Sequence, residues 1–170
     1  MDKTVLDFVC KLQGYRTSLQ NIHWDAKNMS QHKLCDDIMD RISDFEDQVS
    51  EVEQSINGNL AINLLKGTEY KATNLRKFVE DVIDDTNEFY KKIKEKGDKY
   101  IGMASDCESF MSDMQRNLYL VNFTMKENFK REYKNKHRIN ESKSNTTVNA
   151  LDNLIKECVL ELISESCHGA

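Results

Sequence analysis

Proline occurs nowhere in the 170 residues, and glycine only six times. Proline breaks helix interiors and glycine weakens them, so their scarcity argues against a turn-rich fold and for long uninterrupted helices. Cysteine occurs five times, at Cys10, Cys35, Cys107, Cys158 and Cys167, in an odd number and with no CxxC pair. That pattern fits neither a disulfide framework nor a zinc module, and reduced thiols in a cytoplasmic compartment are expected. No apolar run approaches the ~20 residues of a membrane-spanning helix. The opening stretch, MDKTVLDFVCKLQGY, is amphipathic rather than continuously apolar, so it reads as neither signal peptide nor membrane anchor. The net charge of −5 gives no general case for binding nucleic acid.

What is present is helical periodicity. Val5, Phe8, Leu12, Tyr15, Leu19 and Ile22 recur at three and four residues, which predicts a helix from about Asp2 to Asp25. Ile38, Ile42, Phe45, Val49, Val52 and Ile56 predict a second from about Gln31 to Ile56, with Ser30 as its N-cap and Asn57-Gly58-Asn59 as its stop. Leu60, Ile62, Leu64 and Leu65 suit a short helix in the long connection that follows. A third helix is expected from about Ala72 to Lys96, ended by Gly97. A fourth starts between Lys99 and Asp106 and continues to about Tyr133. Met103, Met111, Met114 and Met125 sit at helical spacing along it as core filler.

Residues 1–133 therefore read as an all-α, four-helix bundle, 134–147 as a polar linker, and 148–170 as a C-terminal helix and tail. Long helices with one apolar stripe each pack antiparallel, and a long connection between the second and third suits the ferritin-like arrangement.

The chemistry-bearing residues cluster between His23 and Glu51. At about 100° per residue, His32, Asp36, Asp40, Ser43, Asp47 and Glu51 share one face of the second helix, opposite its apolar stripe. A charged face of this kind is ordinarily just solvated. Here, however, a histidine leads the carboxylates, and His23-Trp24 stands just upstream.

These intervals resemble the signature of the Dps-type mini-ferritins, the DNA-binding proteins from starved cells. In that family a His-Trp pair ends the first helix and a second His opens the next. An Asp follows four residues later, and an Asp-x-x-x-Glu lies further along. Here the matching residues are His23, Trp24, His32, Asp36, Asp47 and Glu51. The turn HWDAKN is similar to the family's HWNVKG, with Asn28 in the usual glycine position; asparagine is the other residue that tolerates a left-handed conformation.

The resemblance implies a ferritin-like subunit of a hollow homo-oligomer, a dodecamer in the family. It implies iron bound at subunit interfaces and oxidised by peroxide or dioxygen. His23 and His32 would come from one subunit, and Asp36, Asp47 and Glu51 from its two-fold partner. Trp24 would take up an oxidising equivalent; the alternative is a large packing residue at a helix end. Imidazole with carboxylate suits Fe²⁺, and acidic ligands offset the added charge of Fe³⁺.

The chain departs from the family in a loop about three residues shorter between the histidines, with no Gly-Pro-x-Phe stretch. It also lacks a lysine-rich N-terminal tail and carries the extension after residue 133.

Other segments keep two readings. Lys126, Lys130, Arg131, Lys134, Lys136 and Arg138 could contact DNA phosphates, or simply favour a helix C-terminus. The acidic stretch Glu80–Glu88 could line an ion entry pore or be a solvated face. The C-terminal helix, about Val148 to Ser164, could pack on its own bundle, on a neighbouring subunit or on another protein. The rival to a ferroxidase is a protein that uses the Dps-type fold for assembly or for DNA protection, with a vestigial metal site.

Overall fold

The computed structural model describes residues 2–58, 65–71 and 74–124, which belong to one compact unit, Met1–Met125. Its helices are α1 (Lys3–Trp24), α2 (Met29–Asn57) and α3 (Leu75–Lys94). A 3₁₀ turn at Asp98–Tyr100 leads into α4, over residues 101–124. No strand occurs among the described residues, so the all-α class holds. No helix there is long and apolar enough to cross a membrane. The basic segment from Lys126 to Arg138, the linker, the C-terminal helix and Leu60, Ile62 and Leu64 lie outside the described residues.

Each of the first three helices starts at a side-chain cap. Asp2 accepts from the Thr4 amide, Asn28 from Gln31 and Asn74 from Lys77. The cap of α2 is thus Asn28 rather than Ser30. Asn28 is also not left-handed. Its φ of −157° is extended, as a cap must be for its side-chain oxygen to reach the amide three residues on. Among the described residues only Gly58 and Gly97 have positive φ. Gly58 follows α2 where the sequence places a stop, whereas α3 ends at Lys94, before the expected Lys96.

Contacts at matching ends fix the helix directions. α1 and α2 are antiparallel: the Asp2 amide donates to Glu53 Oε1 at one end (2.6 Å), and His23 meets His32 at the other. α1 and α3 are antiparallel as well, with Phe8 stacked on Phe89 and Tyr15 edge-on to Phe78. Phe45 stacks on Phe110, and Arg41 pairs with Asp113 at 2.7 Å, which sets α4 antiparallel to α2. Hence α2 and α3 run in the same direction. The shared core is made by Leu12, Ile38, Phe45, Phe78 and Phe110, with Met103 and Met114 filling it as expected.

The connection between α2 and α3 lies against α1 where it is described. The Thr68 amide donates to the Cys10 carbonyl at 2.9 Å. Gly14 permits this approach, since a Cβ there would stand 1.8 Å from the Thr68 carbonyl oxygen. Tyr70 then packs edge-on against Tyr15 and Phe78 and donates to Asp81 at 2.5 Å.

At the end of the bundle remote from the histidines, Glu53 is completely buried. It is satisfied by the Asp2 amide, by Asn57 at 3.0 Å and by Tyr100. Lys96 pairs with the Asp2 carboxylate at 2.7 Å and closes this end. A buried carboxylate is tolerable only with its acceptor sites filled in this way.

Candidate metal centre

Four residues separate the end of α1 at Trp24 from the start of α2 at Met29. So short a loop presses the last turn of α1 against the first turn of α2. His23 Nε2 lies 3.1 Å from His32 Nδ1 and 2.9 Å from Asp36 Oδ1, and His32 Nδ1 lies 3.5 Å from Asp36 Oδ2. One ligand atom from each residue falls within 4.8 Å of the others. Two donors bound about 2.1 Å from one ion, at angles between square and tetrahedral, stand about 3.0–3.4 Å apart. The two histidine nitrogens fall in that range, and Asp36 approaches each of them through a different oxygen, so the three side chains converge on one point of the surface.

The shortened loop therefore does not separate the two histidines. The side chain of His23 is 13% exposed, that of His32 45% and that of Asp36 53%. The cluster has a protein-facing side, formed by His23, and an open side where further ligands or an oxidant could approach.

Asp36 differs from the expectation drawn from the resemblance, which groups it with the partner subunit's carboxylates. One turn after His32 on the same helix, it meets its own chain's histidines directly. Asp47 and Glu51 are exposed on the same outward face of α2. They lie 11 and 15 residues beyond Asp36, which is about 16 and 22 Å along the axis. They cannot reach this cluster within one chain. Asp40 shares their exposure.

Trp24 is 73% exposed, so it is not packed as a core residue among the described residues. It borders an open groove with Gln13, Arg16, Gln20 and Met39. Met29, on the other side of the loop, is exposed too. Cys35, although adjacent to Asp36 in sequence, points into the core, where burial and then the Asp36 charge push its thiol up to about 11. It remains a thiol at neutral pH and turned away from the cluster, and so adds no ligand.

Sequence reasoning overlooked Gln20. Its amide nitrogen lies 3.4 Å from His23 Nδ1, the ring atom on the far side from the cluster. The signal was available as a polar residue three positions before a candidate ligand on one helix, which is neighbour spacing.

In the acidic stretch Glu80–Glu88, Asp85 accepts a hydrogen bond from Tyr15 and pairs with Lys11 at 2.9 Å. Asp81 binds Tyr70 and Lys77, and Glu80 binds Arg76. Asp84 and Glu88 of the same stretch are exposed. Comparison of the chain with protein-family models, curated proteins and solved structures gives no match.

Proposed function

We propose that this chain is a ferritin-like subunit of the Dps type that binds Fe²⁺ as substrate and oxidises it at sites completed by a second copy. The observation that carries the reading is the convergence of His23, His32 and Asp36, the residues whose sequence intervals suggested it. The parallel course of α2 and α3 supports the ferritin-like topology, because two consecutive helices that run the same way need a connection that returns along the bundle. The segment at Thr68, lying against the middle of α1, suits such a crossover.

In this reading His23, His32 and Asp36 hold iron from one subunit, and Asp47 and Glu51 approach from a two-fold-related copy. The outward carboxylates then have a purpose that a lone chain does not give them. Neutral imidazoles favour Fe²⁺, and each carboxylate added stabilises Fe³⁺ relative to it. Loss of one electron from each of two Fe²⁺ reduces one peroxide, with two protons, to two waters. Trp24, next to His23 in sequence, would supply an electron when iron is scarce. A hollow homo-oligomer, a dodecamer by resemblance, would store the ferric product in the cytoplasm. Use of the same fold for assembly alone, through the C-terminal helix, or for DNA protection, through Lys126 to Arg138, is the competing reading.

Fe²⁺ oxidation, followed by ferric absorbance with peroxide as oxidant, tests the proposal. His32→Ala and Glu51→Ala should each slow it about tenfold or more, with the helical circular-dichroism signal kept. Neither change opens a core cavity, because both side chains lie away from the apolar stripe. Oxidation as fast as wild type in both variants overturns the site.

A further inference from the structure

Gln20 stands behind His23, on the side away from the cluster, and its side chain is half-buried on α1. A neutral imidazole carries one proton, so its two nitrogens always play opposite parts. His23 Nε2 lies 2.9 Å from a carboxylate oxygen of Asp36 and 3.1 Å from His32 Nδ1. The carboxylate can only accept, so the proton of His23 sits on Nε2 in this arrangement. Nδ1 then carries a lone pair and accepts from the Gln20 amide at 3.4 Å. His32 Nδ1, facing the same N–H, also presents a lone pair, so His32 already holds the tautomer that a cation at the cluster requires. Only His23 does not. To give its Nε2 lone pair to a cation it must carry its proton on Nδ1 instead, and that N–H needs an acceptor.

We propose that Gln20 is the positioning residue that lets His23 switch tautomer, donating through its amide nitrogen to the metal-free ring and accepting through its amide oxygen from the metal-bound one. The inference rests on the metal-site reading above. A carboxamide is suited to the task because a half-turn of its last torsion exchanges donor for acceptor at almost unchanged position. Leucine could do neither, lysine could only donate and glutamate could only accept. No net proton is gained or lost: the ring releases one at Nε2 and takes one up at Nδ1 through water. Ligating histidines are generally held by a partner on the second nitrogen, and loss of that partner weakens metal binding by about 10–100-fold.

The test uses the full-length protein with Zn²⁺ as a redox-silent, diamagnetic probe. Imidazole ¹⁵N shifts of His23 are read at about pH 8.5, well above the ordinary imidazole range. Wild type should show the Nε2–H form without metal and the Nδ1–H form with Zn²⁺. Gln20→Glu should hold the Nδ1–H form even without metal, and bind Zn²⁺ at least as tightly as wild type. Gln20→Leu should lose the metal-free preference and bind about tenfold more weakly, with unchanged melting temperature.

If wild type fails to bind Zn²⁺, the metal-site reading falls, while the metal-free shifts still report whether Gln20 sets the tautomer. If wild type binds Zn²⁺ but Gln20→Leu matches it in affinity and in both spectra, the role of Gln20 is overturned and the site stands.

Discussion

The contact between Gly14 and Thr68 makes a sharp prediction, because two physical effects act there with opposite sign. Gly14 lies within α1, where replacing glycine by alanine ordinarily stabilises by up to about 1 kcal/mol. In this position the new Cβ would stand 1.8 Å from the Thr68 carbonyl oxygen and 3.0 Å from its carbonyl carbon. Both are main-chain atoms, so no side-chain rotation relieves the clash. The 65–71 segment must retreat until that contact reaches an ordinary ~3.4 Å. Such a shift breaks the Thr68–Cys10 hydrogen bond, a loss of about 1 kcal/mol. It also draws Tyr70 from its seat on Tyr15 and Phe78, which costs about 1–3 kcal/mol in lost burial and aromatic contact. After the gain in helix propensity, Gly14→Ala should destabilise by about 1–3 kcal/mol and lower the melting temperature by roughly 2–12 °C. Gly102→Ala is the control: it lies near the start of α4, and a Cβ there meets nothing within 4 Å. That variant should be neutral or slightly stabilised. Thermal unfolding followed by circular dichroism compares the two. If Gly14→Ala melts at or above wild type, the connection does not rest on α1 at this point and the close approach is refuted.

Asp2→Asn keeps an N-cap acceptor but removes the charge facing Lys96. Burial works to raise the Asp2 pKa, but Lys96 and the Thr4 amide outweigh it, so the carboxyl is held below its ordinary value. A depressed carboxyl pKa gives stability that is complete above the unfolded pKa and lost as pH falls through the folded one. The asparagine variant should therefore be weaker by roughly 0.5–1 kcal/mol at neutral pH, and the gap should close as pH falls below the ordinary Asp range and through the lowered folded value. Urea midpoints that stay apart at low pH would show that the ion pair is not its source. For assembly, light scattering should give a particle much larger than a dimer. A 19.8 kDa species at micromolar concentration would count against any site shared between copies.

How much of this could be read in the sequence depended on the range of the forces involved. Core-facing positions of α1 and α2 followed from spacing alone, since Phe8, Leu12, Ile38 and Phe45 each lie on the apolar stripe of their helix. Helix ends were less legible. Ser30 and Asn28 are both good caps, and the choice turned on how four residues close a loop between two packed helices, which is tertiary information. Asn28 stands where a glycine would suit a left-handed turn, yet it serves as an extended cap, which the likeness to a glycine position does not reveal. The contact of Gly14 with Thr68 joins residues 54 apart in sequence, and no local pattern announces it.

The site was legible in a different way. His32 and Asp36 share a helix face by spacing, but the approach of His23 needed the hairpin, and the sequence offered only a likeness for it. The proposed pairing of copies gives this face a physical rationale. Asp36, Asp40, Asp47 and Glu51 lie exposed along one side of α2, with the apolar Trp24 and Met29 beside the histidines. Mating two such faces directly would set carboxylates against carboxylates, and close like charges oppose association. Cations bridging the histidine end of one copy and the carboxylate end of another would reverse the sign of that interaction, while Trp24 and Met29 would lose contact with water. Metal binding and association would then be thermodynamically linked, each strengthening the other by the same factor. An outward ladder of acids that only repels in one chain becomes, in that linkage, the reason the second chain binds.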